Sequence, residues 1–82
     1  MTKILRLPMV MQMTGLSRAS VYSYIAQGLI SNPVKIGASS VGWPESDISA
    51  INAARIAGKP DEEIRALVER LEESRTATEE FS

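Results

Sequence analysis

The punctuation of the chain limits what it can fold into more than any other feature. Glycines at 15, 28 and 58 and prolines at 8, 44 and 60 cut its 82 residues into short segments. Pro8 suits the first turn of a helix, where its missing N–H would be unpaired in any case. Gly15, Gly28 and Gly58 suit the left-handed position that ends one. The spacing predicts a helix over 8–14 and a second from Arg18 to about Gln27, capped by Ser17. A third helix opens at Pro44-Glu45-Ser46-Asp47, with acids in its first turn where the macrodipole favours them. A fourth opens at Lys59-Pro60-Asp61. Segments this short assemble into one small domain with a small core.

Between the second and third helices the periodicity changes. Val34 and Ile36 alternate with Lys35, and Val41 and Trp43 alternate around Gly42, as the strands of a hairpin do. The stretch Gly37–Ser40 is its loop, and Pro44 blocks extension of the second strand. Val21, Tyr24 and Ile25 share the inner side of the second helix. Ala19 and Ser23 point outward there, flanked by Arg18, Ser20 and Tyr22. The expected core is Leu7, Val10, Leu16, Val21, Ile25, Ile36, Trp43, Ile48 and Ile51. Three of the four methionines fall in the first helix, where packing an irregular core explains them better than a cofactor box. Trp43, the sole Trp, reads as an anchor holding the hairpin to the third helix rather than as a base-stacking platform.

Composition excludes several kinds of chemistry. Hydrophobic residues are 44% and charged residues 23% of the chain, an ordinary globular balance. With no Cys and no His there is no thiol chemistry, no His general base and no Cys/His metal site. Glu45 and Asp47 are an acid pair that helix capping accounts for. The sequence holds no glycine-rich phosphate loop and no nucleophile with a base, so the chain reads as a non-enzyme without cofactor or metal. No apolar run approaches the length of a membrane span, and no signal peptide is present. The expectation is a soluble cytoplasmic protein.

The net charge of −1 conceals a polarity. Through Pro44 there are four cations (Lys3, Arg6, Arg18, Lys35) and no acid, a balance of +4. From Glu45 onward ten acids face five bases, a balance of −5. Such asymmetry points to a surface for a polyanion in the first half and a solvated second half. Four cations over that length are few, so the first half is acid-free rather than strongly basic.

Two short helices joined by Thr14-Gly15-Leu16-Ser17 have the spacing of a helix-turn-helix, and the hairpin adds a wing. The residues carry a more specific signal. Leu7-Pro8, Thr14-Gly15-Leu16-Ser17-Arg18-Ala19-Ser20-Val21-Tyr22, Gly28, Asn32-Pro33-Val34-Lys35-Ile36-Gly37 and Val41-Gly42-Trp43-Pro44-Glu45-Ser46-Asp47-Ile48 together resemble the AlpA family. These are small phage and prophage regulators, similar to excisionases and to the DNA-binding domain of MerR proteins. The resemblance covers roughly residues 4–57. It implies a mostly α fold with a small two-stranded wing, a winged helix-turn-helix that binds double-stranded DNA with its second helix in the major groove. Carried over by position, Ser17, Arg18, Ser20 and Tyr22 fall on the DNA-facing start of that helix. Ser23 departs from the pattern, since the family often has a long polar residue there. The loop Ala38-Ser39-Ser40 departs too, at a place that commonly carries Arg. Both departures remove cations, which favours two or more copies side by side on DNA.

The DNA-binding candidates are therefore Ser17, Arg18, Ser20, Tyr22 and Ser23 on the second helix, with Lys35, Ser39 and Ser40 on the wing. Arg18 stands out, because a guanidinium forks onto a guanine edge or clamps a phosphate. The expected organisation is a winged helix-turn-helix domain over 1–58, an amphipathic helix over 59–75 and a disordered polar tail over 76–82. On the amphipathic helix, Ile64, Leu67, Val68 and Leu71 form an apolar stripe at i, i+3, i+4, i+7 spacing. That stripe either completes the domain's own core or binds a partner such as RNA polymerase or a recombinase. Three functions stay open at this point: a transcription regulator, an excisionase-like factor that bends DNA, and a protein-binding adaptor with secondary DNA contact.

Overall fold

A computed structural model describes the backbone of residues 3–80 and the side chains of residues 3–75. The order of elements is β1 (Ile4–Leu5), α1 (Leu7–Thr14), α2 (Arg18–Ala26), β2 (Val34–Lys35), β3 (Val41–Pro44), α3 (Glu45–Ile56) and α4 (Asp61–Glu80). Helix ends follow the punctuation. Gly15 takes a left-handed φ of 74° and its N–H donates to the Met11 carbonyl at 2.9 Å, closing α1 and turning the chain into α2. Thr14 reinforces the turn, since its hydroxyl donates to the Val10 carbonyl at 2.7 Å and accepts from the Leu16 N–H at 3.3 Å. Asn52 on α3 donates to the exposed carbonyl of Met13 at 2.9 Å, a long-range cap for the last turn of α1.

The hairpin has a third strand that alternation in so short a segment did not reveal. β1 pairs antiparallel with β3 (Ile4 opposite Pro44, Leu5 opposite Trp43), so the sheet order is β1-β3-β2. The wing is thus tied back to the N-terminal end of the domain. Register explains the one expected core residue that lies outside. Val34 stands opposite Gly42 and Lys35 opposite Val41, which puts Val34 and Ile36 on the face turned away from Trp43. Ile36 is accordingly 45% exposed. The alternation was real, but its phase was opposite to the expected one.

Gly42 is required by close approach. A Cβ there would stand 2.9 Å from the Leu5 carbonyl oxygen and would overlap the Ile4 side chain. The exposed Ile4 side chain can swing aside, but the carbonyl cannot move without parting β1 from β3. Gly42→Ala is expected to cost about 1–3 kcal/mol, as overpacking does. A thermal melt should show a drop of about 4–8 °C per kcal/mol. Adding Ile4→Ala should recover little of it, and full recovery would place the strain on the side chain alone.

The core is two clusters that share Tyr24. One buries Leu5, Val10, Val21, Ile30, Trp43 and Ile48, with Leu7, Leu16 and Ile25 packed half-buried around it. Met11 and Met13 pack there as well, whereas Met9 is exposed. The other buries Leu29, Ile51, Ile64 and Val68, with Leu67 and Leu71 packed against it. The apolar stripe of α4 is therefore covered by its own domain. Of the two occupants left open for the face of Ile64, Leu67, Val68 and Leu71, the domain's own core is the one seen: the stripe packs on Ile51 of α3 and Leu29 of the segment after α2. α4 also continues to Glu80, past the expected end at 75 and into the stretch expected as a disordered tail. Neither glycine nor proline occurs there to stop it. Residues 81 and 82 of that tail lie outside the described residues.

Candidate nucleic-acid interface

The first turn of α2 is built around Ser17. Its hydroxyl oxygen accepts from the Ser20 N–H at 3.2 Å and donates to the Ser20 hydroxyl at 3.0 Å. The cap leaves the preceding N–H groups of the helix open, at the end where the macrodipole is positive. Only Val21 of α2 is fully buried. Arg18, Ala19, Tyr22 and Ser23 are exposed, Tyr22 by 47%, so the helix presents a free side along its length. Among the described residues Arg18 forms no ion pair or hydrogen bond, leaving its guanidinium available. Ser23 differs, because its hydroxyl accepts from Gln27 Nε2 at 3.0 Å and serves the helix's own last turn.

The wing candidates form a second group. Lys35 and Ser39 are exposed and Ser40 is half-buried. The Ser40 carbonyl accepts from the Ile36 N–H at 3.0 Å, which closes the loop. Ile36 and Val41 accompany them as exposed apolar residues on the hairpin. The structure thus gathers Ser17, Arg18 and Ser20 into one turn and Lys35, Ser39 and Ser40 into one hairpin. No hydrogen bond or ion pair links the two groups among the described residues. Trp43 takes no part, being 0% exposed with its indole N–H donating to the Ser31 carbonyl at 2.9 Å. It is the core anchor, and no face of its ring is open for a base.

Electrostatics sharpen the picture. Neither α1, α2 nor the hairpin carries an acidic side chain. Asp47 stands in the first turn of α3 as expected, and it also has partners there that the sequence did not reveal. It is 4% exposed, its Oδ2 accepts from the Ser31 hydroxyl at 3.1 Å, and Arg75 of α4 pairs with the same oxygen at 2.7 Å. Sequence reasoning missed this constellation because its members are 16 and 28 residues apart. α4 meets α2 at the far end from Ser17, where Arg65 Nε donates to the Gln27 carbonyl at 2.8 Å. Nine residues of helix separate the two ends, about 13 Å of rise. This contact places Arg65 of α4 at the end of α2 opposite Ser17. Among the described residues no helix is long and apolar enough to cross a membrane, and no group of acidic residues is placed to hold a metal ion.

No solved structure matches the chain. A protein of Enterobacteria phage P4, "Uncharacterized protein ORF88", is 40% identical over 57 residues, which cover 70% of this chain and 65% of the relative. The chain therefore spans just under two thirds of that relative's length. The family described as "Prophage CP4-57 regulatory protein (AlpA)" matches residues 3–55, from the start of β1 almost to the end of α3.

Proposed function

The chain belongs to the AlpA family of prophage regulatory proteins, and from that premise we propose that it binds double-stranded DNA sequence-specifically and regulates transcription in the cytoplasm. The observation that carries the proposal is the open first turn of α2. Its cap is satisfied, its Arg18 has no hydrogen-bond or ion-pair partner among the described residues, and no acid stands on its own element or on α1 and the hairpin. In this reading α2 enters the major groove, Arg18 reads a base edge, and Ser17 and Ser20 contact phosphate. Lys35, Ser39 and Ser40 lie against the backbone beside it, as the wing of a winged helix does.

Selection of duplexes from a random pool by the intact chain tests the proposal and supplies an operator. On that operator Arg18→Ala is expected to weaken binding by about 1–3 kcal/mol, with tolerance at one base position. Circular dichroism should be unchanged, because the side chain is exposed and lies outside both core clusters. Equal weakening on operator and random DNA would make Arg18 a phosphate clamp instead. Unaltered binding to both would remove it from the interface.

The adaptor reading loses its main support, because the apolar stripe offered for a partner is inside the protein. Contact with RNA polymerase or a recombinase would have to run through the exposed acids Glu62, Glu63, Glu69 and Glu73 of α4.

A further inference from the structure

Residues 27–33, which join α2 to the hairpin, belong to neither helix nor strand. The path of this connector sets the angle between the two groups of candidate DNA-binding residues. α4 holds it directly at two places and at a third through Asp47 of α3. Arg65 Nε donates to the Gln27 carbonyl at 2.8 Å, at the connector's start. The Glu72 carboxylate accepts from both the backbone N–H of Asn32 at 2.7 Å and its side-chain amide at 3.1 Å, near the connector's end. Arg75 pairs with Asp47, whose same oxygen holds the Ser31 hydroxyl, and the Ser31 carbonyl holds the Trp43 indole. Between these grips Leu29 is buried with Ile64 and Val68.

The spacing makes the three contacts one device. Seven helical residues from Arg65 to Glu72, the two that hold the connector's ends, rise about 10 Å. The five residue steps from Gln27 to Asn32 include the turn at the left-handed Gly28, so they reach less than the roughly 16–18 Å of a fully extended chain and can match that rise. The helix and the connector run side by side over that length, fastened at both ends. All three gripping residues lie beyond residues 3–55, the part that the family match covers.

We propose that α4 is a brace that fixes the orientation of the hairpin relative to α2, and that Arg75 and Glu72 are positioning residues for DNA recognition without touching DNA. The proposal rests on the DNA-binding reading above. A hydrogen-bond chain from Arg75 through Asp47 and Ser31 reaches Trp43, which sits in β3 at the root of the wing. Removing Arg75 leaves Asp47 buried with one donor, and the group must move or gain water. Either change is passed directly to Ser31 in the connector. Loss of Glu72 frees the Asn32 N–H one residue before Pro33 and the hairpin.

The test uses the full chain carrying Arg75→Ala, Arg75→Lys or Glu72→Ala, with a selected operator. Arg75→Ala should lower operator affinity about tenfold, equivalent to about 1.4 kcal/mol. Protection of phosphates under the hairpin should be lost while base discrimination under α2 is kept. Arg75→Lys, which preserves the charge on Asp47, should restore most of that protection. Glu72→Ala removes only an exposed link and keeps the fold, so it serves if Arg75→Ala does not fold; it should weaken hairpin protection in the same direction. Residual dipolar couplings without DNA give an independent readout. In both alanine variants the couplings of 34–44 and 18–26 should each fit the wild-type geometry alone but not together. A joint fit as good as the wild type's, or equal loss of protection under α2 and hairpin, would overturn the brace. Failure of the intact chain to select any duplex would sink the DNA reading, and the dipolar couplings would still decide the orientation.

Discussion

A chain ending after Gly58 is expected not to fold cooperatively, although it retains every element matched to the family. Truncation there uncovers Leu29 and Ile51, which are 3% and 2% exposed in the intact protein. Each loses about 1.5–3 kcal/mol of burial. The cut also removes Arg75 from the buried carboxylate of Asp47 and Arg65 from the Gln27 carbonyl. These losses sum to about 5 kcal/mol or more, against a total stability of about 5–15 kcal/mol for an ordinary domain. A domain of this reduced length stands at the low end of that range. Circular dichroism melts of the truncated and full chains would decide the matter. A sigmoidal transition within about 5 °C of the full-length value would show that α4 is an appendage and that the second core cluster is dispensable.

Trp43→Ala is the point substitution with the largest expected effect, a loss of about 3–5 kcal/mol. The indole is wholly buried at the meeting of β1, β3 and α3, and its N–H is spent on the Ser31 carbonyl. Deleting it opens a cavity under the wing and leaves that carbonyl without its donor. The thermal midpoint should fall by about 15 °C or more, at roughly 4–8 °C per kcal/mol. Trp43→Phe separates the two causes, since it fills most of the volume and donates nothing. It should cost about 1–2 kcal/mol, the share belonging to the hydrogen bond. Equal losses for Phe and Ala would mean that the hydrogen bond carries the effect and that packing contributes little.

Particular residues show how far the sequence was legible. Gly15 and Gly28 were readable as helix stops because a left-handed φ is a local demand that little else satisfies, and both take it. Ser17 was readable as a cap for the same reason, since a cap involves only its neighbours three residues on. Exposure of Arg18 and Tyr22 followed from the 3.6-residue period once Val21 was placed inward. The two-residue strand β1 was not readable, because it has too few positions to show alternation and exists only through pairing with β3. Ile36 was misplaced because alternation gives the period of a strand but not which phase faces the core; the pairing of Val34 with Gly42 decides that. Asp47 was readable as a first-turn acid, but its burial and its pairing with Arg75, 28 residues away, were not.

By itself the sequence determined the helix boundaries at the glycines, the N-terminal cap of α2, the acid-free first half and the family to which it belongs. Each rests on a local backbone requirement or on a specific string of residues, so neighbours in sequence suffice. Only the tertiary structure decided where α4 lies. An amphipathic stripe states that an apolar face must be covered, and it does not state by what. Ile51 and Leu29 supply the cover, and Gln27, Asn32 and Asp47 supply polar partners that hold it in register. Those partners come from the connector and from α3, and only folding brings them onto one side of a helix.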